Sequence, residues 1–90
     1  MSALNTRVSL IHGVLSTVVD DGLTLLDERR GMIYHLNHTG AAALLALLNS
    51  GIEAAVTALC ARYAVTAQTA RRDITRLLDE LLVHRLVVLQ

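Results

Sequence analysis

Ninety residues with 53% hydrophobic content, no Trp, Phe or Pro and only two aromatic side chains point to one aliphatic domain over residues 1–90. Its core must be built from Leu, Val, Ile and Ala, which excludes disorder and leaves no room for an elaborate active site. Eight arginines balance eight acidic residues to a formal net charge of zero, excluding a general attraction to nucleic acid or to an anionic membrane. The start, MSALNTRVSL, has neither the charged opening nor the apolar stretch of a secretory signal. No apolar run approaches the roughly 20 residues of a membrane span, so a cytoplasmic protein is expected.

From Val8 to Leu36 short apolar stretches alternate with the turn signals Asp20-Asp21-Gly22 and Asp27-Glu28-Arg29-Arg30-Gly31. They predict three strands in a meander: one within Val8 to Val19, open to interruption near Gly13, then Leu23 to Leu26, then Met32 to Leu36. After Asn37 the period shifts from two to about 3.6, which marks a change to helices. Asn37 or Thr39 caps the first, whose Ala42, Leu45, Leu48 and Ala41, Leu44 rows are expected to pack inward, and Asn49-Ser50-Gly51 ends it. Ser50 and Glu53 have capping-box spacing for a second helix, about Ile52 to Arg62. Thr66 opens the third and longest, about Ala67 to Leu82, with Ala70, Ile74, Leu77, Leu78 and Leu81 on one face. The run Leu86 to Leu89 closes the chain as a short strand or a packed tail. The fold class is therefore α+β.

Few residues carry chemistry. His35 and His38 straddle the strand-to-helix corner without a third ligand, so no metal site is expected, and His12 and His84 are isolated. Cys60, the lone cysteine, sits in a helical apolar pattern and reads as a small buried side chain. No serine stands in a glycine elbow, and Asp20-Asp21 and Asp79-Glu80 read as a turn and a solvated helix face. No enzyme and no cofactor are expected. Arg62 to Leu82, RYAVTAQTARRDITRLLDELL, has the form of a helix-turn-helix and resembles winged-helix DNA-binding regulators. Against that reading stand the neutral charge, the acidic Asp73, Asp79 and Glu80 among the arginines, and strands that precede the helices. Arg72, Arg76 and Glu80 at i,i+4 spacing read instead as a solvated face with helical partners.

The segment LLDERRGMIYHLNHTGAAALLALLNSG, Leu25 to Gly51, resembles the signature of the PqqD-like family, the RiPP recognition elements. Asp27, Gly31, Tyr34, Leu36, Asn37, Thr39, Gly40 and Ala41 carry the match, and Tyr63 and Arg72-Asp73-Ile74 extend it, so the likeness covers about residues 8–89. Arg85 departs from it, standing where members often place Gly after the last helix. The resemblance implies a winged-helix-like fold, a three-stranded antiparallel sheet followed by three helices. It further implies capture of the leader of a ribosomally made precursor peptide by strand addition, with Met32 to Leu36 as the receiving edge and the third helix as the other wall.

On that strand Met32, Tyr34 and Leu36 alternate with Ile33 and His35. Tyr34 and Leu36 are expected in the core, leaving the main chain with Ile33 and His35 nearest the peptide. On the helix Asp73, Leu77 and Glu80, with Arg76 beside them, form the candidate flank; the other flank, Arg71, Thr75 and Leu82, stays open. Within the family the chain looks most like the partner of a lasso-peptide leader peptidase, implying as partners the precursor, a cysteine protease and then a cyclase. A peptide chaperone in pyrroloquinoline quinone synthesis is the alternative within the family. A DNA-binding regulator and a purely structural subunit are the alternatives outside it. Either a monomer or an edge-paired or swapped dimer is compatible with an exposed edge.

Overall fold

A computed structural model describes residues 7–90; the N-terminal stretch read above for a secretory signal falls largely outside them, at residues 1–6. The described residues form β1 (Val8–Leu10), β2 (Val14–Val19), β3 (Gly22–Asp27), β4 (Met32–Asn37), α1 (His38–Ser50), α2 (Ile52–Tyr63), α3 (Ala67–Val83) and β5 (Val87–Leu89). The expected first strand is broken at Gly13, whose φ of +94° suits a residue without a side chain. Strands β2, β3 and β4 form the three-stranded antiparallel meander, and β1 and β5 pair antiparallel as a second, two-stranded sheet. None of the helices among the described residues is long and apolar enough to cross a membrane.

Two turns set the meander's register. Asp20-Asp21 closes the β2–β3 hairpin with Val19 opposite Gly22. Gly22 has φ +154°, and a Cβ there would collide with the Leu36 carbonyl oxygen, so the close approach of β3 to β4 requires glycine. The β3–β4 turn begins with the Arg30 N–H donating to the Asp27 carbonyl at 3.3 Å and ends at Gly31, φ +67°.

The helices cover the face of the sheet that carries Leu23, Leu25, Tyr34 and Leu36. Leu23, Leu25, Leu44, Leu47, Ile74 and Leu86 are fully buried, with Ala55, Val56, Leu59, Ala70, Leu78 and Leu81 around them. Asn37, not Thr39, caps α1, its side chain accepting from the Gly40 N–H at 2.9 Å. The inward row of α1 also differs from expectation. Ala41, Ala43, Leu44 and Leu47 are buried, while Ala42 and Leu48 are only partly covered and Leu45 is exposed. In a helix apolar at nearly every position the pattern cannot choose the rotation; the corner at Asn37 does.

The capping box does not form. Ser50 is the last residue of α1, Gly51 with φ +93° serves both as its C-cap and as the N-cap of α2, and no side chain caps α2. Glu53 turns instead to Arg71 of α3, whose Nη2 donates to Oε1 at 2.9 Å. Thr66 caps α3 as expected, accepting from the Thr69 N–H at 3.1 Å. That helix ends in a Schellman motif: Leu86 N–H donates to the Leu81 carbonyl (2.9 Å) and Arg85 N–H to that of Leu82 (3.0 Å). Arg85, the departure from the family pattern noted above, adopts the left-handed conformation itself, with φ +56°.

Candidate functional site

Strand β4 lies at one edge of the meander, with no strand beyond it among the described residues. The direction of its main-chain groups follows from the ladder. Glu28 N–H donates to the Gly13 carbonyl at 2.9 Å, and since hydrogen-bonded and non-bonded pairs alternate, Leu26, Thr24 and Gly22 also turn their main chain toward β2. Leu23, Leu25 and Asp27 then face Leu36, Tyr34 and Met32. The N–H and C=O groups of Ile33 and His35 point outward, toward the open edge.

Beside that edge runs a groove between β4 and α3. Its upper part, about 390 Å³, is lined by His35, Leu36, Asp73, Arg76, Leu77 and Glu80 together with Asn37, Thr39, Gly40, Ala43 and Leu59. A narrower part of about 140 Å³ continues it, lined by Tyr34, His35, Leu36, Leu77 and Glu80 with Leu25, Leu81, His84 and Leu86. Tyr34, His35, Leu36, Asp73, Arg76, Leu77 and Glu80 thus share one concavity. Met32 and Ile33 do not line it. Ile33 is 69% exposed on the sheet face turned away from the helices, in a cross-strand row with Leu26 and Leu15. Tyr34 and Leu36 are half-buried and pack on the core while also forming the groove floor.

Polar groups rim an apolar floor. Among the described residues Asp73, Arg76 and Glu80 make no ion pair, and neither do Arg72 and Arg76 with Glu80, contrary to the helical partnering expected; Arg71 is engaged by Glu53. The Arg71 guanidinium holds the Glu53 carboxyl below the usual carboxylate range. The other flank of α3, with Arg71, Arg72 and Thr75, borders a shallow surface of about 750 Å³ formed by this helix alone, without a sheet edge beside it. Three or more His, Cys, Asp or Glu side chains able to hold a metal do not gather anywhere among the described residues. Cys60 is partly buried against the core.

The narrow end of the groove is tied shut. Asp27, with no exposed surface, accepts from the Arg29 N–H (3.1 Å), Nε (2.9 Å) and Nη2 (2.9 Å). The Arg29 hydrogen bonds hold its carboxyl below the usual range against the opposing effect of burial. The same Nη2 donates to the Arg85 carbonyl at 2.7 Å, and Arg30 Nη1 to the His84 carbonyl at 3.2 Å. The β3–β4 turn is thereby fastened to the end of α3. The His84 ring lies 5.1 Å from that of Tyr34, closing the floor across the gap. His84 read as isolated in sequence, yet Asp73, Leu77, Glu80 and His84 continue one i, i+4, i+7, i+11 stripe, and extending that spacing one step finds it.

Known proteins share this fold. The model of the family described as coenzyme PQQ synthesis protein D (PqqD) matches residues 22–87. Lasso peptide synthetase B1 complexed with the leader peptide is similar with a TM-score of 0.84 at 28% identity, over 91% of this chain and 98% of that one. TbiB1 in complex with the TbiA(β) leader peptide is similar with a TM-score of 0.81 at 29% identity, over 88% and 93% of the two chains. No curated protein matches the chain.

Proposed function

Since the chain belongs to the PqqD family, we propose that it binds the leader of a ribosomally made precursor peptide, without catalysis, by adding the peptide as a strand to β4. The observation that carries this reading is that both structural neighbours are complexes with leader peptides and match almost the whole chain. The open edge supports it physically. The outward N–H and C=O groups of Ile33 and His35 receive an extended backbone, and the groove beside them takes side chains on the helix-facing side.

In this reading the edge Met32 to Leu36 receives the peptide, with the outward main chain of Ile33 and His35 pairing with it and Met32, Tyr34 and Leu36 bonded to β3; Leu77 and Tyr34 form its apolar seat, and Asp73, Arg76 and Glu80 set its polar contacts. The pathway is lasso-peptide synthesis, and the captured precursor passes in the cytoplasm to a separate cysteine peptidase and then a cyclase. The domain contributes effective concentration and register to those reactions. The family description favours a second reading, a peptide chaperone for pyrroloquinoline quinone synthesis.

Fluorescence-polarisation titration with three probes tests these readings: a labelled lasso leader from the neighbouring precursor gene, a labelled quinone-cofactor precursor and a labelled DNA duplex. Saturation by the lasso leader at micromolar concentration or below, with no response to the others, is the expected result. Binding of the quinone-cofactor precursor alone transfers the function to that pathway. Salt-sensitive duplex binding alone assigns the arginines of α3 to DNA and overturns peptide capture. Ile33→Pro removes an outward donor that the β3 ladder does not use; unchanged leader affinity in that folded variant rules out β4 as the receiving edge.

A further inference from the structure

Among the described residues the meander has a second open edge, and it differs in kind from the first. Strand β2 reads VLSTVV, without a charge, a proline or a bulge, and every residue after Val14 is exposed. Val18 is 69% exposed, and Leu15 and Val19 are also open on the other face. The main helix contacts with the meander fall on β3 and β4, so β2 projects beyond the layer that covers its neighbours. Edge strands of soluble proteins usually carry a lysine, a proline or a twist that discourages pairing. Strand β2 has neither a lysine nor a proline.

We infer that β2 is a self-association edge, which pairs antiparallel with β2 of a second copy about a two-fold axis through Thr17 and joins two meanders into one six-stranded sheet. The ladder phase permits this arrangement. With Leu15, Thr17 and Val19 engaged by β3, the main-chain groups of Ser16 and Val18 point outward, while the Val14 N–H is taken by the Ile11 carbonyl at 3.0 Å. A two-fold at Thr17 sets each Ser16 against the other copy's Val18 as hydrogen-bonded pairs, and each Leu15 against the other copy's Val19 on the face turned away from the helices. Both pairings are self-complementary, as an isologous contact requires.

Charge agrees with the same register. The two-fold carries Asp20 of each copy toward the other's Val14, on the helix-side face. The Arg29 side chain lies against Gly13 at that end of β2 and keeps about a third of its surface exposed. One acidic turn therefore meets, at each end of the shared ladder, the exposed part of a guanidinium whose Nε and Nη2 are held by Asp27. The contact is a short strand pair, below the size of a permanent interface, so the dimer is reversible and concentration-dependent. Both β4 edges remain open at the far ends of the joined sheet, and this inference does not depend on what β4 binds.

Sedimentation equilibrium of the full chain, from about 1 µM to about 1 mM, is the test. The weight-average mass of the wild type is expected to rise toward double across the series, while Val18→Lys and, separately, Ser16→Pro stay monomeric with unchanged circular dichroism. Ile33→Lys, on the opposite edge, is expected to dimerise as the wild type does. A wild type that stays monomeric throughout overturns the inference. So does a dimer that survives both β2 substitutions, or one that Ile33→Lys disperses, since each places the contact on another surface.

Discussion

Asp27 is a carboxylate with no exposed surface, kept ionised by three Arg29 donors, so its protonation is felt as stability. Its folded pKa is depressed below the ordinary value of 3.8. The contribution is therefore complete above the unfolded pKa and is lost as pH falls through the folded one. In thermal melts the wild type is expected to exceed Asp27→Asn in stability at neutral pH, with the gap narrowing below about pH 4. A gap that stays constant into acid shows that the charge is not what Arg29 holds. Arg85 makes the opposite kind of residue-scale prediction. Its left-handed φ of +56° costs a residue with a Cβ about 1 kcal/mol, while the Arg29 contact uses only its carbonyl. Arg85→Gly is expected to stabilise the protein by about that amount, raising Tm by roughly 4–8 °C. The departure from the family pattern was legible in the sequence; that the backbone absorbs it without losing the Schellman turn was not.

The strands and helices were legible where a local physical signal marks them. Thr66, Gly51 and the Asp20-Asp21-Gly22 turn each fill a role that few other residues can, and the boundaries they predict lie within a residue or so of those observed. The failures have equally local causes. The AAALLALL stretch of α1 is apolar on every side, so its periodicity carries no rotation. Ser50 and Glu53 have the spacing of a capping box, but Gly51 intervenes with a backbone that places the helix start after it. The β1–β5 pair joins Val8 to Leu89, and no local pattern encodes a partner so distant. The groove's flank on α3 was readable from helical spacing. Its coincidence with the β4 edge depends on tertiary packing, and so does the part played by His84. Gly22 supplies the element-scale prediction. Gly22→Ala drives a Cβ into the Leu36 carbonyl and is expected to cost more than about 2 kcal/mol. Amide exchange should accelerate first in β4; exchange confined to the Asp20-Asp21 turn contradicts this account of the glycine.

At the scale of the whole molecule, the two walls of the groove are joined at one end, where Arg29 and Arg30 reach the end of α3. Arg29→Gln is expected to weaken leader binding about tenfold, or about 1.4 kcal/mol, chiefly through faster dissociation, at temperatures where the variant remains folded. Equal dissociation rates in the two proteins detach the clamp from binding. Leader peptide at a hundred times its Kd is expected to stabilise the wild type by about 2.7 kcal/mol in a thermal-shift assay. The outward main chain of β4 sets a limit on what such an affinity contains. Ile33 and His35 offer one N–H and one C=O each, and hydrogen bonds of this type contribute about 1 kcal/mol net apiece. Together they amount to about 4 kcal/mol, any extended peptide can claim them whatever its sequence, and the freedom lost on association offsets at least that much. In the proposed mode, the roughly 8 kcal/mol of a micromolar complex therefore has to come from the groove. The edge would thus supply register without selection, and the side-chain seats the discrimination between the right peptide and an arbitrary one.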